Sequence, residues 1–233
     1  MRLNDDRYLD ALEEKAARLT QVLATADPAA PVRACPGWTV GRLGRHVGEI
    51  HQWAEHAVVA GNPDAQLEPP PDGPTHLAGW YSGCAASLLS TLRAADPAAP
   101  AWAFGPKPRV VGFWYRRQAH EAAVHLWDAA DAVGEPVPIE EDLAVDGIDE
   151  VLTMFLPRQL RLGRIPPLPA TIDLVAGDEH RTVGEGEPVA TVRADPETIL
   201  LLIWGRRTLD DPRVTVTGDR DAATAVLTAG VTP

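Results

Sequence analysis

The sequence predicts an α+β protein, an N-terminal helical bundle followed by a small C-terminal α+β domain. Two observations lead there. Apolar residues recur at steps of three and four through four separate segments of the first 130 or so residues. Beyond a Pro-rich joint, the pattern changes to short alternating runs bounded by Gly, Asp and Pro.

Taken in order, Asp5 and Asp6 are placed to cap a first helix carrying Tyr8, Leu12, Leu19 and Val22 or Leu23 on one side. A second helix starts near Thr39, with Val40, Leu43, Val47, Ile50, Ala54 and Ala57 on its apolar stripe. A third carries Leu77, Trp80, Cys84, Leu88 and Thr91, and a fourth runs from about Gly112 to Val133. Pro-rich stretches at Pro63 to Pro74, Asp96 to Pro108 and Gly134 to Pro138 punctuate them. Helical bundles commonly build metal and cofactor sites between facing helices. A fifth helical stretch spans Leu143 to Leu160, and Arg164-Ile165-Pro166-Pro167-Leu168-Pro169 reads as the joint. The expected domains are therefore residues 1–165 and 166–233. In the second, Thr171 to Val175, His180 to Val183, Val189 to Arg193 and Val214 to Gly218 read as strands. Pro196 fits the first turn of a helix that holds Ile199 to Trp204, and Asp219 to Ala229 forms a last helix.

Composition narrows the function classes. Of 233 residues, 45% are hydrophobic, enough for a sizeable core. Lys and Arg number 21 against 33 Asp and Glu, a net charge of −12. Such a balance argues against nucleic acid or an anionic membrane as partner, because both select basic surfaces. No apolar run approaches the roughly 20 residues of a membrane span. The start, Met1-Arg2-Leu3-Asn4-Asp5-Asp6, has no secretory apolar stretch, so a cytoplasmic protein is expected. Two cysteines, Cys35 and Cys84, are too few for a disulfide framework or a four-cysteine zinc site. A monomer and a homodimer both fit the sequence.

Chemistry concentrates on the fourth helix, in His120-Glu121-Ala122-Ala123-Val124-His125-Leu126-Trp127-Asp128. His120 and His125 are five residues apart, so they point about 140° apart and cannot share a metal. Glu121 and His125 are four apart and share a face, with Asp128 near enough to orient the imidazole. Such a pair is either a solvated i,i+4 couple or two of the three ligands of an open metal site. A second polar flank, with Arg116, His120 and Asp131, means that one of the two flanks faces something other than bulk water. The third ligand would come from the second helix. His46 and His51 lie about 70° to either side of its apolar stripe, and the wheel alone does not choose between them. His56 faces away.

The segment Cys35-Pro36-Gly37-Trp38-Thr39-Val40-Gly41-Arg42-Leu43-Gly44-Arg45-His46 resembles the P-G-W-T…L…H segment of the mycothiol-dependent maleylpyruvate isomerase family. These are DinB-like metalloenzymes in which a metal-binding histidine follows the tryptophan by eight residues, the spacing of Trp38 and His46. The resemblance thus selects His46 and implies His46, Glu121 and His125 as metal ligands. It implies a DinB-like four-helix bundle followed by a sterol-carrier-like domain, the latter matched by Leu200-Leu201-Leu202-Ile203-Trp204-Gly205-Arg206-Arg207. It also implies a catalytic arginine in the C-terminal domain, carried here to Arg206 with Arg207 as competitor.

The implied cofactors are a divalent metal, with zinc ahead of nickel or iron, and mycothiol; the implied partners are that small-molecule thiol and a small electrophilic substrate. A metal lowers the pKa of a bound thiol, and the thiolate attacks the electrophile. An S-transferase keeps the new bond, whereas a maleylpyruvate-type cis–trans isomerase releases the thiol after rotation. An anionic substrate would want a cation, with Arg206 and Arg117 as candidates. Thiol transfer is expected ahead of isomerisation. The competing classes are a metal-water hydrolase, a non-enzymatic ligand-binding protein and a structural metal site.

Overall fold

The computed structural model describes residues 2–70, 73 and 76–232. Pro71, Asp72 and Pro74 of the first Pro-rich stretch lie outside the described residues. Two compact units divide the chain, one of Leu3–Pro138 and one from Ile139 onward.

The first unit is a bundle of α1 (Asp5–Thr25), α2 (Val40–Val59), α3 (Leu77–Ala94) and α4 (Gly112–Ala132). Asn4, rather than Asp5 or Asp6, caps α1. Its extended backbone lets its side chain accept from the Arg7 N–H, which leaves the two aspartates in the first turn, where the helix dipole favours them. Thr39 caps α2 in the same way through the Arg42 N–H. Leu19, Leu43, Val47, Tyr81 and Leu126 form the centre of the core. Gly48 admits the Trp80 ring so closely that a Cβ would overlap it. Trp80, read from sequence as part of the stripe of α3, is therefore packed on the backbone of α2.

In the second unit, α5 (Glu141–Glu150), a π-helical segment (Val151–Phe155) and α6 (Leu156–Arg161) precede the sheet. The expected boundary at 165 placed these helices with the bundle. The observed unit begins at Ile139, and α5 packs on α7 (Pro196–Ile203). Pro157 explains the π segment: it has no N–H to give, and its ring crowds the carbonyl four residues before it. The sheet holds β1 (Ile172–Ala176), β2 (Glu179–Val183), β3 (Ala190–Ala194) and β4 (Thr215–Gly218) in the order β2-β1-β3-β4. β1 is antiparallel to β2 and parallel to β3, with Ile172 opposite Val183 and Ala190, and β4 pairs antiparallel to β3. α7 packs on β1 and β3, as does α8 (Arg220–Leu227). The α+β class is as the sequence predicts, and each sheet strand lies within a residue of its expected ends. Among the described residues no helix is long and apolar enough to cross a membrane.

Candidate metal centre

The turn before α2 begins the site. Gly37 takes a left-handed conformation (φ 79°) that suits glycine, and the Trp38 N–H closes the turn on the Cys35 carbonyl at 2.9 Å. Trp38 then lies edge-on to His46, ring centroids 4.9 Å apart, and stacks on His125 at 6.4 Å. The Arg42 guanidinium covers the Trp38 ring at 4.9 Å.

His46 from α2 meets Glu121 and His125 from α4. His46 Nε2 lies 3.5 Å and His125 Nε2 3.2 Å from the same oxygen, Glu121 Oε1. One ligand atom from each residue lies within 4.8 Å of the other two. Donors around a tetrahedral zinc are about 3.3 Å apart, from bonds of about 2.0–2.1 Å, so both carboxylate–imidazole separations already suit one ion. Glu121 and His125 are mostly covered, 14 and 12% exposed, whereas His46 at 34% opens the site on one side.

The surroundings fix the donors. Buried Asp128 accepts from His125 Nδ1 at 3.1 Å, turning Nε2 toward Glu121. Cys35 Sγ lies 3.7 Å from the same Asp128 oxygen. Buried Arg117 donates to Glu121 Oε2 at 3.0 Å, so the two carboxylate oxygens are divided between a cation and the imidazoles. Burial alone would raise the Glu121 pKa, but His125, His46 and Arg117 hold it well below the usual carboxylate range. Burial likewise opposes charge on His125, yet Glu121 and Asp128 hold its pKa above that of an ordinary imidazole. The field where the donors converge thus stabilises positive charge, and two imidazoles with one carboxylate form a donor set that fits a divalent cation.

The remaining candidates are placed elsewhere. His51, left open beside His46 by the helical wheel, is fully buried between Gln118 Oε1 at 2.7 Å and the Tyr81 hydroxyl at 3.4 Å. Desolvation pushes its pKa down to about 4, so it is a neutral core residue. His56 bonds Asn62, and His120 packs edge-on to Tyr8 of α1. The second polar flank of α4 accordingly faces another helix. In the second unit, Arg206 donates to the Trp204 carbonyl at 2.7 Å and lies over the Trp204 ring; Arg207 pairs with Asp211 at 2.8 Å. Gln118, not singled out from sequence, is the buried partner of His51 on α4. Arg117 was read as a partner for substrate, and it is held on Glu121.

A family model described as "Mycothiol maleylpyruvate isomerase N-terminal domain" matches residues 9–130, and one described as "MDMPI C-terminal domain" matches residues 142–225. Among solved structures, the crystal structure of the mycothiol-dependent maleylpyruvate isomerase superposes with a TM-score of 0.71 at 14% identity, covering 93% of this chain and 95% of that one. A mutant of that isomerase gives the same TM-score and coverage at 13% identity. At such identity the likeness is one of fold. No curated protein matches the chain.

Proposed function

This chain belongs to the mycothiol maleylpyruvate isomerase family, and from that premise we propose a metal-dependent enzyme that adds mycothiol to a small electrophile. The observation that carries the reading is the convergence of His46, Glu121 and His125 on one point, backed by Asp128 and Arg117. Those three would hold a divalent cation, zinc ahead of nickel or iron. When bound, the cation would supply Lewis acidity, lowering the pKa of a thiol so that thiolate is available near neutral pH.

The protein's own groups do the rest. Asp128 fixes the ring orientation of His125 and its Nδ1 tautomer. Arg117 keeps Glu121 ionised and occupies its second oxygen. Trp38 covers both imidazoles on one side, narrowing the approach of water. His46, the most exposed of the three, marks the open side. Arg206 is proposed as the arginine of the second unit that turnover requires. S-transfer and cis–trans isomerisation share the addition step and part only in whether thiol is released.

Elemental analysis of tag-free protein tests the centre: near one metal per wild-type chain is expected, lost in His46→Ala with folding retained. Metal-free wild type that resists reconstitution would sink the enzyme reading. For the thiol half, mycothiol is expected to perturb the absorption of cobalt-substituted protein and to protect it against unfolding; neither effect would leave a metal protein with no thiol role. A thioether product identifies transfer, whereas an isomerised product with thiol recovered identifies the isomerase. Arg206→Ala is expected to lower turnover at least tenfold at unchanged metal content.

A further inference from the structure

The end of α6 and the β2–β3 turn carry charges that the second unit itself does not use. From Val151 to Ile172 the chain has no acidic residue, although it holds 33 in all. Arg158, Arg161 and Arg164 lie in that stretch. Burial first, and then Arg164 and Arg161, hold the Arg158 pKa below its ordinary value, so the three guanidinium groups stand close enough to repel one another. Elsewhere in the same unit Arg181, Arg207, Arg213 and Arg220 each hold a carboxylate within 2.9 Å. The Arg161 side chain has no such partner among the described residues, and the Arg164 guanidinium reaches only the Gln159 carboxamide, at 3.5 Å. The turn Gly184-Glu185-Gly186-Glu187-Pro188-Val189 is the converse. It is exposed throughout, and neither glutamate side chain has a partner among the described residues.

Apolar surface accompanies both sets. Of the five large hydrophobic side chains most exposed among the described residues, three are Leu160, Leu162 and Val189. Both segments are also held in place. Gln159 donates to the Thr232 carbonyl at 3.0 Å, fixing the end of α6. The Thr171 hydroxyl donates to the Glu185 carbonyl at 2.7 Å, and the Val189 N–H donates to the Thr171 carbonyl at 2.9 Å. The acidic turn therefore closes on Thr171, seven residues after Arg164. Seven residues span at most about 25 Å, whereas a standard interface of about 800 Å² per partner is about 30 Å across. A basic patch alone would suit any acidic partner. A basic and an acidic set within one interface width call for a partner with both signs, and a twofold axis supplies it, because each set then meets its opposite twice. The net charge of −12 disfavours a nucleic acid or an anionic membrane in that place.

We propose that the second unit pairs with a second copy of this chain about a twofold axis, Arg161 and Arg164 of each copy against Glu185 and Glu187 of the other, with Leu160, Leu162 and Val189 covered between them.

Sedimentation velocity on tag-free protein over a dilution series tests this without reference to metal or turnover. Wild type is expected to reach twice the 25.0 kDa of one chain. Two double reversals, Arg161→Glu with Arg164→Glu and Glu185→Arg with Glu187→Arg, each set like charges opposite one another and are expected to weaken dimerisation at least tenfold. All four positions are exposed, so both variants are expected to keep the wild-type circular dichroism and melting temperature. Mixing the two variants is the decisive arm. Every basic set then faces an acidic one, and a 1:1 heterodimer of wild-type affinity is expected. Mixing does not repair a misfolded chain, so recovery separates lost pairing from lost folding. Wild type that stays at the mass of one chain throughout, a dimer undisturbed by the reversals, or variants that do not combine on mixing would overturn the proposal.

Discussion

Asp128 shows how much of the centre depends on a residue outside the donor set. Its carboxylate is almost fully buried and holds His125 Nδ1 at 3.1 Å. Partners of this kind typically carry 10–100-fold in metal affinity. Asp128→Asn, which keeps the shape, is therefore expected to weaken zinc binding by about that factor, measured by competition with a chromophoric chelator. His51 makes the opposite point, since burial keeps it neutral at a pKa of about 4. An unfolded histidine titrates near 6.5, so between those values the unfolded chain binds the extra proton. Stability is then full above about pH 6.5 and falls as pH drops toward 4, by about 3 kcal/mol from this group. Denaturant melts across that range are expected to show the slope in wild type and a shallower one in His51→Asn; parallel curves would remove the assignment. The pairing of Glu121 with His125 and the place of Asp128 were legible because one helix carries all three. The choice between His46 and His51 was not legible from the wheel, because α2 is covered on both flanks by partners from α3 and α4; the tryptophan spacing of the family resemblance selected His46.

At the scale of elements, periodicity located every helix of the bundle, because each has one face in a common core. It did not show how closely α2 and α3 approach. That distance is set by Gly48, against which the Trp80 ring rests. Gly48→Ala would gain helix propensity but places a methyl inside a rigid ring, so the expected net is a loss of about 1–3 kcal/mol. A melting curve at or above wild type would show that Trp80 can withdraw at no cost. The expected single helix from Leu143 to Leu160 likewise missed the π segment, although Pro157 was the visible sign. A lone proline announces a perturbation without saying whether the chain will bend, break or take up an extra residue per turn.

For the whole molecule, composition bounded the answer and contacts decided it. The proline cluster at Pro166 to Pro169 was taken as the boundary by composition, and the one near Pro138 only as a break between helices. The units divide near Pro138 instead, because α5 finds its apolar partner in α7. All three proposed metal donors consequently lie within the first unit, whose core of Leu19, Leu43, Val47, Tyr81 and Leu126 is built without them. Metal removal is therefore expected to lower stability without unfolding the chain. A ligand at a hundred times its dissociation constant stabilises by about 2.7 kcal/mol, so chelation is expected to drop the melting temperature by about 5–10 °C while the helical circular dichroism at 25 °C is retained. Hydrogen exchange should then speed up in α2 and α4, where the donors sit, and stay nearly constant in β1 to β4. Loss of helical signal on chelation would instead mark a structural site, since the metal would then be holding the bundle that the apolar core is argued to hold. An unchanged melting temperature together with full metal release would show that the three donors bind too weakly to bias folding.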